Sequence, residues 1–417
     1  MTVALGILAA PAVTTLAAWG FTRDPAKLSL TIQLVRLTFP FLLFVSLAAL
    51  ASGALNARGR FFIPALAPAG LSIAEIIFML FLASRFKEPI YGLAIAATVG
   101  GLLHWALQIP SLAREGLTPR FTRPGVADTS RILKLMAPTV IGLSADQINS
   151  YVDTLCGSFL ATGSVTALYN SNRIMQLPLA LFGVAVASVA LPSLSGSMAK
   201  DDLREYKSTL AFSLRTANFL IIPATIGLVM IGRPIVQLLF QHGRFTPHDT
   251  NLTYIALVGF TLGLPAYAGT KILASAFFAL KDTTTPMRAS LWSMVLNVGL
   301  DLTLMWKLGV GGLAFDTSIA AWLNMAILFF LLRKKVGLIG AKEMIRSGVL
   351  VSVASFLMGA VAYGVVYHLP LPLPLRVLAG ILAGLAVFMG MAVLLNLEER
   401  KHFRSWLPRA QAIEEAE

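Results

Sequence analysis

Eight ionisable side chains fall inside long apolar runs of this chain: Arg36, Glu75, Asp146, Asp153, Arg173, Lys271, Asp301 and Asp316. A charge at membrane depth costs roughly 2.5–3.5 kcal/mol on insertion scales, so such a group faces a cavity or a partner. The chemistry open to this set is binding. Carboxylates, with amides and hydroxyls beside them, offer hard oxygen ligands to a cation such as Na+. Arg173 offers a planar fork of donors that fits a phosphate bidentately, and it lies in Tyr169–Pro178, an unusually polar stretch for an apolar run. Lys271 offers a weaker version of the same contact. Structural readings stand beside these: interhelical hydrogen bonds for the acids, an ion pair with Asp153 or Asp146 for Arg173. Arg36 and Glu75 read as snorkelling or interhelical groups.

The elements that position these residues follow from composition. Hydrophobic residues make up 57% of the chain and charged residues 13%, against about 25% charged in soluble domains. The pattern predicts an all-α, polytopic membrane protein with twelve spans, at about 2–20, 31–56, 62–84, 89–113, 135–161, 164–191, 209–232, 250–280, 286–306, 309–332, 344–367 and 375–397. Each is long enough for the ~20 residues that cross a bilayer. The first run begins at Met1 without a charged leader and reads as a span. Of the 33 Lys and Arg, 22 fall in or beside alternate loops and the tail, 8 in the opposite loops and 3 within spans. This bias predicts cytoplasmic termini. The net charge of +13 therefore belongs to short loops and does not indicate nucleic acid. The segment 195–208 reads as a cytoplasmic amphipathic stretch or a solvated loop.

Topology sets depth. Asp153 lies eight residues from the outer end of its span, Asp301 five, Asn297 nine and Thr317 eight. These positions share a layer roughly 8–14 Å below the outer ends at 1.5 Å per residue. Asn297 and Asp301 are four residues apart and share a helix face. Arg173 is deeper, near the midplane.

Enzyme signatures are missing. The five histidines are scattered, and no HExxH, P-loop, GxSxG or paired-carboxylate motif occurs. Gly309–Ala314 fits a loose GxGxxA pattern but lies between two apolar runs, so it reads as a span boundary. The single cysteine, Cys156, permits no internal disulfide. No resident cofactor is implied; Na+ as a coupling ion is the one candidate.

Collinear blocks carry a family resemblance: Asn56–Pro68, Gln147–Asp153, Gly163–Tyr169, Arg173–Pro178, Phe182–Ser195, Gly243–Thr246 and Lys281–Pro286. The chain resembles the MurJ (MviN) family of lipid II flippases, in the multidrug/oligosaccharidyl-lipid/polysaccharide exporter superfamily. The resemblance implies a two-lobed alternating-access transporter with fourteen helices, of which the first two have no counterpart here. It implies an N-terminal lobe over 1–195, a C-terminal lobe over 209–333, two further helices over 344–397 forming a lipid-tail groove, and a cytoplasmic tail over 398–417. Arg173 matches a cavity arginine. Asn172 and Gln176 stand where the family commonly has acids, which removes the local charges that would restrain Arg173. By resemblance a sodium site maps to Asp153, Asn297, Asp301, Thr317 and the backbone carbonyl of Leu313.

The function implied is transfer of lipid II from the cytoplasmic to the periplasmic leaflet of a bacterial inner membrane. The substrate contacts would be Arg173 and Lys271, and the drive membrane potential or a cation gradient. Partners implied are lipid II, membrane lipids and the cell-wall synthesis machinery. Alternatives are transport of another polyprenyl-diphosphate glycan or a small solute, a membrane enzyme acting on polyprenyl phosphates, and an inactive truncated homologue.

Overall fold

A computed structural model describes residues 2–86, 88–117, 147–338, 340–397 and 399. The stretch 135–146 of the fifth expected span, with Asp146, lies outside the described residues, as does the tail from 400 onward. The described chain is helical throughout. That is the expected solution for an apolar chain, because a helix satisfies its backbone N–H and C=O groups within one segment. The helices fall into two compact units, one within Met1–Thr139 and one within Val140–Glu417.

The first unit contains α1 (Thr2–Ala17), α2 (Pro25–Ala57), α3 (Phe62–Leu66), α4 (Ala69–Ile77), α5 (Pro89–Ala106) and α6 (Ile109–Arg114). Helix α2 begins six residues earlier than the apolar run because Asp24 caps it. The carboxylate accepts from the N–H groups of Ala26 and Lys27, both at 3.1 Å, and Pro25 opens the first turn. Helices α2 and α5 pack side by side. Just past α5 the fully buried Gln108 donates to Ala48 O at 3.2 Å and accepts from Ser52 Oγ at 2.9 Å, fixing α2 to the start of α6. Arg36 lies on α2 and Glu75 on α4.

The second unit contains α7 (147–159), α8 (Ser164–Pro178), α9 (Ala185–Ala199), α10 (Leu203–Phe240), α11 (Pro247–Thr261), α12 (Leu264–Ala279), α13 (Thr284–Leu308), α14 (Val310–Val336), α15 (Ala341–His368) and α16 (Leu373–Leu394). Helices α8 and α9 are joined by a π-helical turn, Leu179–Val184, after Pro178, as π turns commonly adjoin functional residues. Helix α8 packs on α11, and α9 packs on α10 and α12, so residues 164–199 group with the helices after 200. The sequence reading instead ended its first lobe at 195.

Nine of the described helical segments are long and apolar enough to span a bilayer, and α1 forms a shorter apolar helix. Helix α13 has the length but not the apolarity, because polar residues such as Asn297 and Asp301 dilute it. The expected span at 250–280 lies within one apolar helical segment, Pro247–Ala279, which is interrupted at Leu262–Gly263 between α11 and α12, where Pro265 opens α12. The amphipathic stretch at 195–208 consists of two helix ends. Helix α9 runs to Ala199, Asp201 takes a positive φ of 55°, and Asp202 caps α10 by accepting from Glu205 N–H at 2.8 Å. Large apolar side chains point outward along both units, up to 78% exposed at Leu394, which is the surface a lipid solvent requires.

Candidate functional site

Within the second unit, α11 and α14 approach closely. A Cβ on Gly259 would lie 2.7 Å from the Cβ of Ala314, and Ser318 Oγ donates to Gly259 O at 2.6 Å. Gly259 and Gly263 form the small-xxx-small spacing that lets membrane helices touch backbone to backbone. Helix α13 turns into α14 at Gly309, whose φ of 57° a side chain would oppose. The Gly309–Ala314 segment is thus a turn and a helix start. These contacts set the azimuth of α14 and aim its residues 313–317 at α13.

The result is a buried oxygen cluster. Asn297, Asp301 and Asp316 are fully buried, with no accessible surface. Both oxygens of Asp301, Oδ2 of Asp316, both polar atoms of the Asn297 amide and Oδ1 of Asp153 lack a hydrogen-bond partner. Asp316 and Asp153 both lie close enough to Asp301 for their carboxyl groups to repel it. Thr317 donates its N–H to Asp316 Oδ1 at 2.6 Å and its hydroxyl to Leu313 O at 2.9 Å. All five expected ligand residues are therefore in one region. Asp316 joins them, although the ligand set read from the sequence omitted it. The signal was available, since Asp316 is one of the ionisable residues in apolar runs, but depth alone does not separate it from Thr317.

Buried polar groups without partners cost about 1–3 kcal/mol each. Mutually facing carboxylates add repulsion. A cation would satisfy both deficits, and the donor set of carboxylates, amide, hydroxyl and carbonyl suits a hard ion. It is not a preformed polyacid centre: among the described residues no three His, Cys, Asp or Glu side chains are close enough to hold a metal by themselves.

Asp153 and Thr317 also line a cavity of about 770 Å³, together with Arg173 and Lys271. Arg173 donates to Tyr169 Oη at 2.8 Å, and its guanidinium lies 5.0 Å from the centre of the Tyr169 ring. Its neighbours Asn172 and Gln176 hydrogen-bond to each other. Arg173 makes no ion pair with Asp153; the other expected partner, Asp146, lies outside the described residues. Among the described residues neither Arg173 nor Lys271 has an acidic partner, and both are exposed to the cavity. Of the residues singled out in the sequence, Asp153, Arg173, Lys271 and Thr317 line this one cavity, while Asn297, Asp301 and Leu313 do not.

The same kind of helical bundle recurs among solved structures. The chain is similar to an inward-facing multidrug-resistance transporter of the MATE family, with a TM-score of 0.68 at 14% identity over 80% of this chain and 78% of that one. That likeness is one of fold. A profile described as "Lipid II flippase MurJ" matches residues 1–370, and the chain belongs to that family. A solved structure of "Lipid II flippase MurJ, inward closed conformation" aligns with a TM-score of 0.81 and 29% identity over 94% of this chain and 80% of that one. A relative from Vibrio cholerae, "Probable lipid II flippase MurJ", is 36% identical over 336 residues, 78% of this chain and 63% of the relative. "Lipid II flippase MurJ" of Burkholderia cenocepacia is 32% identical over 339 residues, 79% of this chain and 65% of the relative. The chain spans less than two thirds of the length of both.

Proposed function

We propose that this multi-pass membrane protein transfers lipid II across a bacterial inner membrane by alternating access, from the cytoplasmic to the periplasmic leaflet, with both termini in the cytoplasm. The observation that carries this reading is the pair of cavity cations, Arg173 and Lys271, neither of which has an ion-pair partner among the described residues. An aqueous hollow at membrane depth with free cations matches the diphosphate of a polyprenyl-linked headgroup. The family supplies the rest of the reading, and helices α15 and α16 offer an apolar groove for the polyprenyl chain.

In this scheme Arg173 takes the diphosphate, Lys271 adds a second positive contact, and the lobes then rock about the bound headgroup. Na+ held by Asp153, Asn297, Asp301, Thr317 and the Leu313 carbonyl, with Asp316 adjacent, resets the inward state. Membrane potential supplies about 2.3 kcal/mol per charge per 100 mV. The test expresses the chain in a bacterium depleted of its own lipid II flippase. Lipid II cleaved by a probe confined to the outer face is then measured, with Arg173→Ala in parallel. Outer-face cleavage restored by the chain and lost in the variant supports the reading. An inserted, stable chain that restores none would refute it for this polypeptide, and restored export of a different polyprenyl-diphosphate glycan would reassign the substrate.

A further inference from the structure

A second polar pocket lies at the ends of α10, α11, α15 and α16 and shares no residue with the cavity above. We propose that it binds the phosphate of an anionic membrane lipid. Its volume is about 320 Å³, and its polar lining is Arg233, Gln237, Gln241, Thr250, Tyr367 and Arg376. Arg233 and Gln237 are four residues apart on one face of α10, and Gln241 follows directly after the helix end. Arg376 comes from the first turn of α16, and its Nε is buried without a hydrogen-bond partner.

The lining holds donors and no acid. Neither arginine has an ion-pair partner among the described residues. Gln241 uses its oxygen to accept from Thr250 Oγ1 at 2.8 Å, which leaves its amide hydrogens as its unengaged end. Asp249, in the first turn of α11, is spent on the helix cap, where it accepts from Thr246 N–H at 2.8 Å and Thr246 Oγ1 at 2.7 Å. Pro372 precedes α16 and supplies no side-chain cap, so the first-turn N–H groups of Leu373 and Leu375, Pro374 having none, are not met by a capping side chain. Two guanidinium forks, two amides and a helix N-terminus converge on one small space. Tetrahedral phosphate, with several acceptor oxygens, is the group that satisfies such a set.

The surroundings select a lipid as the source of that phosphate. The pocket sits at the ends of helices long enough to span a bilayer, and Arg233 is about 10 Å from the end of α10 at 1.5 Å per residue. Tyr363 and Tyr367 stack 4.3 Å apart beside it, as aromatic residues do at headgroup level. Leu369, Leu371 and Leu375, which flank Tyr367, Leu373 and Arg376 in the chain, are exposed. Acyl chains of a lipid whose phosphate occupies the pocket would cover those leucines. A free phosphate ion would leave them bare.

The experiment is native mass spectrometry of the full chain, released from nanodiscs containing equal phosphatidylglycerol and phosphatidylcholine. The wild type is expected to retain phosphatidylglycerol preferentially. The double variant Arg233→Gln/Arg376→Gln is expected to lose at least about fivefold of that retention, while Arg333→Gln/Lys334→Gln, at the end of α14, keeps it. Arg233→Lys/Arg376→Lys, which preserves charge but not the forks, is expected to fall between and guards against misfolding of the glutamine pair. Equal retention in wild type and both pocket variants overturns the proposal. So does displacement of the retained lipid by millimolar inorganic phosphate, which would make the site one for a free ion, or retention of phosphatidylcholine to the same extent as phosphatidylglycerol.

Discussion

Asp301 on α13 and Asp316 on α14 are both fully buried and lie close enough for their carboxyl groups to interact. Neither oxygen of Asp301 has a partner. Two ionised carboxylates in that position repel each other unless something positive lies between them. The pairing joins the helix hairpin α13–α14 to the cavity, because Asp316 is bonded to Thr317 and Thr317 lines the hollow.

Sodium should therefore stabilise the protein, and through this cluster. At free Na+ a hundredfold above its dissociation constant, stability should rise by about 2.7 kcal/mol. Thermal unfolding in detergent, with choline replacing Na+ at constant ionic strength, reads this as a higher midpoint in Na+. Asp301→Asn is expected to abolish most of the increase. A variant whose midpoint still rises with Na+ as in the wild type would remove Asp301 from the site.

Among the described residues Arg173 is held by Tyr169 and by no acid. Its charge is therefore free for a ligand, while its position is restrained by one hydrogen bond and a ring face. Charge-assisted hydrogen bonds contribute about 1.5–3 kcal/mol, so Arg173→Gln should reduce lipid II transfer about tenfold to a hundredfold. Tyr169→Phe removes only the acceptor and should produce a smaller loss. Outer-face cleavage of lipid II, normalised to inserted protein, distinguishes the two. If Tyr169→Phe were as damaging as Arg173→Gln, the tyrosine would itself be a substrate contact.

Much of this arrangement was legible in the sequence, and the part that was not has a geometric cause. Apolar runs give helices, and positions along a run give depth, so Asp153, Asn297, Asp301 and Thr317 could be assigned to one layer. Depth says nothing about azimuth. Asp316 and Thr317 share a layer but are about 100° apart around the helix. Only the close seating of α14 on α11, through Gly259 and Ala314, determines that Asp316 turns toward Asp301. The break inside the 250–280 span, between α11 and α12, is hidden for a related reason. Proline is tolerated inside membrane helices, so Pro265 in an apolar run does not by itself mark a break. The pocket at Arg233 and Arg376 unites residues 143 positions apart, and no local pattern announces such a pair.

Gly259 should be intolerant of a side chain. Any Cβ there meets Ala314 Cβ at 2.7 Å and the Phe315 backbone N at 3.0 Å, and neither belongs to a flexible side-chain end. Forcing atoms into a packed interface typically costs about 1–3 kcal/mol. Gly259→Leu is expected to lower the unfolding midpoint and to weaken the response to Na+, because the azimuth of α14 depends on this contact. Gly53, around which a new Cβ meets nothing within 4 Å, provides the control: Gly53→Ala should leave both readouts unchanged.

Asp282 gives a pH dependence outside the membrane-spanning segments. Its carboxyl is held well below the usual carboxylate range, chiefly by the Lys335 ammonium and then by the Thr285 hydroxyl. It also accepts from the N–H groups of Thr284 and Thr285, at 3.1 and 3.0 Å, at the start of α13. An acid whose value falls on folding adds stability that is fully present above its unfolded value of about 3.9 and is lost as pH drops through the lower folded value. Asp282→Asn keeps an oxygen for the helix start but removes the charge that Lys335 meets. Since Lys335 is half-exposed, that pairing is worth only about 0–1 kcal/mol. Asp282→Ala removes the cap as well, at about 1 kcal/mol more. The stability gap between wild type and Asp282→Asn should be level from neutral pH down to about 5, begin to shrink below about 4, and close only once the pH is below the lowered folded value. Unfolding midpoints across that range measure it, and a gap that persists at the acid end would mean that Asp282 acts through shape and not charge.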